Sequence, residues 1–328
     1  MKKSIHFFLL STLTLTSTIL SQENSKSIVS IHEENDIVAG RDFDYTNGFF
    51  IQYISKDLNS SELPKFTSFI RNNIRSFDQD AYQNNIGIGF GQSMYTPTEI
   101  KDPNLRPNDR PYAGFTYLSF SLHHKNAFNL HKIQLKLGII GPWSLAEDTQ
   151  KMIHEIISAK EPMGWDHQLN NELGLGLSYE YRKRYPIYKK NIDIISSVKL
   201  SLGNVETYAS TGATLRLGYN LPHDFHSNRI NYSGYALPTN YKSNDNFSCY
   251  VFGTSTNYAV AVDIFLDGNT FEDSHSVDKE NLRAEFEVGI GISYKNFFMT
   301  YTRVFETRRY KTQSNNPTYG SLNIGYKF

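Results

Sequence analysis

Alternation of apolar and polar residues is cleanest near the C-terminus. In the segment LRAEFEVGIGISY, Leu282, Ala284, Phe286, Val288, Ile290, Ile292 and Tyr294 fall on one face of an extended chain, and Arg283, Glu285, Glu287, Gly289, Gly291 and Ser293 on the other. A period of two held without a slip over this length specifies a strand with two faces of opposite polarity. The final residues repeat it, with Leu322, Ile324, Tyr326 and Phe328 against Ser321, Asn323, Gly325 and Lys327. Similar runs predict strands at 27–34, 46–56, 83–95, 112–124, 131–141, 170–184, 190–202, 208–221, 257–267, 282–296, 297–308 and 318–328. An even number of antiparallel strands can close on itself with both termini on one side. Many of these strands run to about ten residues or more, the length that crosses a bilayer at a tilt. Strands of a soluble sandwich are usually shorter, about 5–6 residues. The pattern therefore predicts an all-β chain forming one transmembrane antiparallel β-barrel of about twelve strands, with short helices in its loops.

Composition agrees with a lipid-facing surface. With 22 Tyr and 22 Phe the aromatic fraction is 14%, yet the mean hydropathy is only -0.47. Aromatic girdles at the two membrane interfaces give such rings a place beside a polar lumen. The N-terminal stretch MKKSIHFFLLSTLTLTSTILSQ has two lysines followed by an apolar core, the layout of a secretory signal peptide with a cut after Ser21. The expected organisation is thus a signal peptide over 1–21 and a barrel domain over 22–328. No later run is long and apolar enough for a membrane-spanning helix. The lone Cys249 excludes an internal disulfide. Balanced charge, 33 basic against 33 acidic residues, gives no footprint for nucleic acid.

Three connections, 57–82, 142–169 and 222–256, are too long for tight turns. In the first, Phe66, Phe69, Ile70 and Ile74 share one face of a predicted helix at 62–77, which suits either the membrane surface or simple packing. The second reads GPWSLAEDTQKMIH from Gly141 to His154. Ser144 with Glu147 predicts a capping box, and Leu145, Met152, Ile153, Ile156 and Ile157 cover one side of the helix that follows. Glu147, Gln150 and His154 fall on another side, Gln150 and His154 as i,i+4 neighbours. A histidine on a polar helix face is by default solvated; on a rigid mount at the rim it is also a candidate general base. Strand parity puts this loop on the same rim as 33–48 and 95–114. The acids Glu33, Glu34, Asp36, Asp42 and Asp44 suit turns, and equally a hard cation held through oxygen. DFDYTNG imitates the start of an EF-hand loop, but Asn47 and Tyr53 occupy its sixth and twelfth positions, so that motif is rejected. There is no G-x-S-x-G elbow, zinc-binding H-E-x-x-H or P-loop.

Taken together, END (34–36), YTNG (45–48), GQSMYTP (91–97), DRPYAG (109–114), GIIGP (138–142), Q-x-x-x-H (150–154) and GWDHQLNNE (164–172) resemble the outer-membrane lipid A 3′-O-deacylases of the LpxR type, in the family's order. The resemblance implies an integral enzyme of the Gram-negative outer membrane acting on lipopolysaccharide. It would hydrolyse the ester that holds the 3′ acyloxyacyl chain of lipid A, with a divalent cation, typically calcium. His154 matches the catalytic base, and Asn35, Asp36 and Thr46 match other active-site positions, with Gln150 beside the base and Asp36 toward the cation. At the place of the family's active-site lysine stands Asp102, with Lys101 adjacent; Lys101 and Arg110 are the expected substrate-binding cations. The competing readings are an outer-membrane phospholipase, which needs a serine nucleophile that the rim loops do not offer, and a non-enzymatic pore or structural barrel.

Overall fold

The structure, a computed structural model, describes residues 26–35, 44–58, 83–225, Arg229 and 247–328, with the backbone alone at 44–46. Twelve strands run in chain order: β1 (Ile28–Asn35), β2 (Asp44–Ile54), β3 (Gln83–Thr96), β4 (Ala113–Lys125), β5 (Asn129–Ile140), β6 (Glu172–Tyr188), β7 (Ile192–Gly203), β8 (Glu206–Tyr219), β9 (Phe247–Asp263), β10 (Leu282–Tyr294), β11 (Phe297–Glu306) and β12 (Thr318–Lys327). Each pairs antiparallel with its sequence neighbours, and β1 pairs with β12 from Ile28↔Lys327 to Asn35↔Gly320, which closes the barrel. Ser27 and Phe328 exchange both backbone hydrogen bonds at 2.9 Å, so the two ends of the described chain meet on one rim, the terminal rim. No helix among the described residues is long and apolar enough to cross a membrane.

Alternation sorts side chains as the period of two requires. On β10, Phe286, Val288 and Ile290 are exposed on the outer wall, whereas Glu285 and Glu287 are buried in the lumen. Around the terminal rim, Tyr53, Tyr188, Tyr219, Tyr294, Phe297 and Tyr326 are exposed and form an aromatic girdle. The lumen is filled by paired charges. Asp193 accepts from Arg184 at 2.6 Å and from Arg216 at 2.7 Å, and Arg216 also pairs with Asp224. Arg283 reaches Asp263 at 2.9 Å, and Arg309 reaches Glu306 at 2.6 Å. The connection after β8 leaves from the terminal rim but sends Arg229 into the lumen, where it meets Glu34 and Glu287 at 3.3 Å each and pairs with Glu285. Pairing in this way offsets the cost of taking these charges out of water.

One predicted strand is misplaced at both ends. β9 begins at Phe247 rather than 257, and the predicted strand residues 264–267 instead form a helical turn, Ile264–Asp267. Outward positions in the early half mix Phe247 and Val251 with Cys249, Gly253 and Ser255, while Tyr250 and Phe252 are buried inside among Ser248 and Thr256, so both faces are mixed and the usual signal fails. The turn is held where Asp267 accepts from the Asp263 amide at 2.9 Å, and Gly268 at φ 84 ends it. The predicted helix at 62–77 and the signal peptide lie outside the described residues.

Candidate active site

The site begins with how the chain leaves β5. Gly141, at φ 87, takes a left-handed conformation that a side chain would strain, and an added Cβ would meet the Asn170 carbonyl oxygen at 2.5 Å. A single 3-10 turn, Pro142–Ser144, follows, and then Leu145 at φ 56 opens helix α1 (Ala146–Ile157). The predicted capping box does not form. Leu145, not Ser144, is the N-cap residue and makes no side-chain capping bond, which puts Ser144 one position too early; the Ser144 Oγ accepts only the Ala146 amide, at 3.4 Å. Glu147 instead pairs with Lys151 at 2.6 Å and accepts from Gln168 at 3.4 Å.

Helix α1 lies on the outside of the barrel. It packs on β3 and β4, where Gly114 and Thr116 share the outward face with the exposed Leu118 and Phe120, and Gln92 and Met94 share it with Ile88 and Phe90. Gln92 Nε2 donates to the Ser144 carbonyl at 2.8 Å, and Thr116 Oγ1 to the same oxygen at 2.6 Å. A Cβ on Gly114 would meet Ser144 Oγ and Ala146 Cβ, each at 2.2 Å, so only glycine lets the helix seat this closely. Buried positions Ala146, Gln150 and His154 recur every four residues, the stripe that faces the wall. Gln150 is 2% exposed and His154 3%, whereas Ile156 on the opposite side is 74% exposed. The wall-facing stripe thus carries the polar Gln150 and His154, while the charged Asp148, Lys151 and Glu155 stay exposed beside Met152 and Ile156, so the default of a solvated histidine does not hold.

His154 is held from behind. Its Nδ1 hydrogen-bonds the Lys160 carbonyl, brought back by a left-handed Ser158 and by the Ala159 amide donating to the His154 carbonyl at 2.8 Å. A ring that donates through Nδ1 keeps Nε2 as its basic nitrogen. Gln150 accepts the Trp165 indole N–H at 2.7 Å, and its Nε2 is buried with no hydrogen-bond partner. Trp165 packs with Met94, Tyr112 and Ala146, and sits 5.0 Å from the Tyr112 ring.

Across the wall, Asn35, Asn47, Met94 and Gly114 stand in one cross-strand row over β1 to β4, all outward. Asn47 Nδ2 donates to Glu33 Oε1 at 2.5 Å. The structure thus brings Asn35, Gln150 and His154 to the same rim and the same outer side. Thr46 has its backbone in β2, next to this row; Asp36 and Asp42 lie outside the described residues.

The two cations part company. Lys101 is exposed in the 97–112 loop, beside Ile100, whose carbonyl accepts the Met163 amide at 2.8 Å and so ties that loop to the return from α1. Asp102 is occupied locally: Asn104 donates to it from backbone and side chain at 3.0 Å each, which holds its carboxyl below the ordinary range, and Arg106 lies 3.4 Å away. Arg110 is buried on the lumen side, its guanidinium 4.5 Å above the Tyr95 ring with Nη2 toward the Phe265 carbonyl at 3.5 Å. The barrel wall separates it from His154, so the structure does not assemble it with the site.

Sequence reasoning overlooked Asn47, Gln92 and Trp165, and counted Glu33 only as one acid among several. A signal was there: Glu33, Asn35, Asn47 and Gln92 occupy outward positions that alternation elsewhere gives to apolar residues. For a cation, donor chemistry is the test. Among the described residues no three His, Cys, Asp or Glu side chains gather in a metal-binding group. The oxygens present, from Glu33 and the Asn35 and Asn47 amides, are the hard kind that calcium takes, and Asp36 follows directly in the chain.

Comparison with known proteins then fixes the family. A family model described as outer membrane protein LpxR matches residues 7–328. The chain belongs to the LpxR family. The solved structure of LpxR from Salmonella typhimurium superposes with a TM-score of 0.74 at 20% identity, covering 92% of this chain and 100% of that one. KdgM porin superposes at 0.36 with 7% identity, over 92% of this chain and 99% of that one. The translocator domain of the autotransporter NalP from Neisseria meningitidis gives 0.40 with 9% identity, over 93% and 89%. No curated protein matches at a significant level. This LpxR family member is an integral outer membrane barrel, and its candidate site opens on the wall rather than into the lumen.

Proposed function

We propose that this protein is a lipid A 3′-O-deacylase that hydrolyses the ester of the 3′-linked acyloxyacyl chain. One observation carries the reading: a row of polar side chains on a lipid-facing wall, roofed by a helix that buries His154 and Gln150 against it. An ester inside the outer leaflet, between sugar and acyl chain, is a substrate that such a place can meet without leaving the membrane. His154 Nε2 takes a proton from water, and the resulting hydroxide adds to the ester carbonyl carbon. The C–O bond to the sugar then breaks, the imidazolium returns its proton to the sugar oxygen, and the acyloxyacyl acid and a free 3′ hydroxyl leave. The buried, unpartnered Nε2 of Gln150 is a donor suited to the developing oxyanion. Lys101 is the cation nearest in the chain to the place of the family's lysine and suits a phosphate of the substrate. A divalent cation, calcium by the hardness of the donors, would be held by Asp36 with oxygens of Glu33 and Asn35, and when bound it supplies positive charge for polarising the carbonyl.

A conducting pore is the weaker reading, because the lumen is occupied by buried ion pairs. The test is the lipid A mass spectrum of cells producing wild type or His154→Ala. Loss of an acyloxyacyl group with wild type only supports the reading; lysophospholipid in its place, or equal products from both, overturns it. Chelation should abolish turnover and added calcium restore it, whereas turnover indifferent to a chelator removes the cation from the scheme.

A further inference from the structure

Helix α1 buries its polar stripe and leaves its apolar side with no protein partner among the described residues. Ile156 is 74% exposed, Trp143 71% and Leu145 60%, and Met152 and Ile157 are also exposed. Scattered apolar residues on a surface need no explanation, but Met152 and Ile156 at i,i+4 on the side away from the wall, with Leu145 and Trp143 exposed just before the helix, do.

The surrounding wall says what covers it. Gln92, Thr116, Ile139 and Leu173 form one cross-strand row, and the 3-10 turn that leads into α1 seats on its Gln92 and Thr116 end through the Ser144 carbonyl, next to Trp143. The next outward row toward the terminal rim is Phe90, Leu118, Leu137 and Leu175, all exposed and apolar, in the part of the barrel that faces lipid. Two residues of strand separate the rows by about 7 Å, less than the diameter of a helix, roughly 10 Å. The exposed Trp143 in that turn therefore adjoins the lipid-facing belt, and α1 runs on from it along the wall. An amphipathic helix buries its apolar face about 5–10 Å into the boundary of headgroups and acyl chains, and tryptophan favours that depth.

We infer that the outer face of α1, with Trp143 as its anchor, is inserted among the acyl chains of the outer leaflet, so that the site beneath the helix is entered sideways from the membrane. The insertion stands independently of the hydrolytic reading; the sideways route for a lipid ester rests on it.

The chain has two tryptophans, and Trp165 is buried, so Trp165→Phe leaves Trp143 as the sole reporter. The variant is reconstituted into phosphatidylcholine vesicles whose chains carry bromine either near the glycerol or near the methyl end. The expected result is emission strongly quenched by the shallow bromines, less by the deep ones, and little by aqueous iodide. Quenching by iodide without bromine quenching puts the face in water and overturns the inference. Protection from both also overturns it, since the face is then covered by protein. Because Trp165 supports Gln150, a second reporter keeps the question open to refutation if that variant fails to fold: Ile156→Cys with Cys249→Ser, carrying a polarity-sensitive dye, gives blue-shifted emission in vesicles if the face is inserted and water-like emission if it is not. For the route, Met152→Ser with Ile156→Ser should slow hydrolysis of lipid A in vesicles about tenfold and leave the rate on detergent-dispersed lipid A unchanged; equal loss in both refutes sideways entry. Bromine quenching without any hydrolysis of lipid A would leave the inserted face standing and refute the deacylase reading.

Discussion

Glu33, Glu34 and Asn35 are consecutive, yet they belong to two different kinds of polar region. Glu34 points into the lumen, where Arg229 meets it at 3.3 Å among other carboxylates; Glu33 and Asn35 point outward, where Glu33 accepts from Asn47 and α1 roofs the adjoining strands. Inside, charge answers charge across the strands, although single atoms of these pairs, such as Arg283 Nη2, Asp263 Oδ1 and Glu285 Oε1, have no hydrogen-bond partner. Outside, the groups are mostly neutral amides and one imidazole, with the Gln150 Nε2 left unpartnered. The difference lies in the chemistry of the groups: across the lumen opposite charges tie neighbouring strands together, whereas on the wall the buried donors and acceptors under the helix are neutral and are not committed to an ion pair.

Substitutions should separate the two regions. The largest effect on activity is expected from His154→Ala, a loss of about 10²–10⁴-fold in deacylation, with heat-dependent gel mobility like that of wild type; parallel loss of both would make His154 a packing residue. For stability the largest effect falls inside. Asp193→Ala strands Arg184 and Arg216 and should cost about 3–5 kcal/mol, read by urea unfolding in lipid vesicles; a cost near zero would mean that the luminal pairs hold nothing. Gly114→Ala tests the seat of the helix. The new Cβ collides with Ser144 and Ala146, and a displacement of about 1 Å can cost 10²-fold in rate, while unfolding should barely change. Gly176→Ala, whose nearest neighbour would be Lys136 Cβ at 4.0 Å, is the matched control and should leave the rate as it is.

The smallest effect is on pH dependence. His223, where the chain turns into the lumen after β8, has its pKa pushed down to about 4 from an ordinary 6.5, first by burial and then by the Arg184 charge. The unfolded chain takes up that proton below 6.5 and the folded chain only below 4, so stability is lost as pH falls through this window. His223→Gln should flatten that part of the unfolding profile. An unchanged profile would assign the acid sensitivity elsewhere.

How far the sequence reaches can be read from particular residues. The period of two placed Glu285 and Glu287 in the lumen and Phe286 on the wall, because face assignment along a strand is local. The same periodicity lost the first half of β9, where Tyr250 and Phe252 point inward and the outward side is thinned by Cys249, Gly253 and Ser255. The i,i+4 spacing of Gln150 and His154 also put them on one side of a helix, again a local matter.

What the spacing could not tell is which side of the barrel wall that helix would occupy. The left-handed backbone at Gly141 and Leu145 and the room left by Gly114 carry α1 over the outside, while the loop before β4 tucks Arg110 under Tyr95 on the inside. Alternation is written residue by residue and survives in any arrangement of the strands. The choice between wall and lumen depends on contacts between segments far apart in the chain, so it exists only once the barrel has closed.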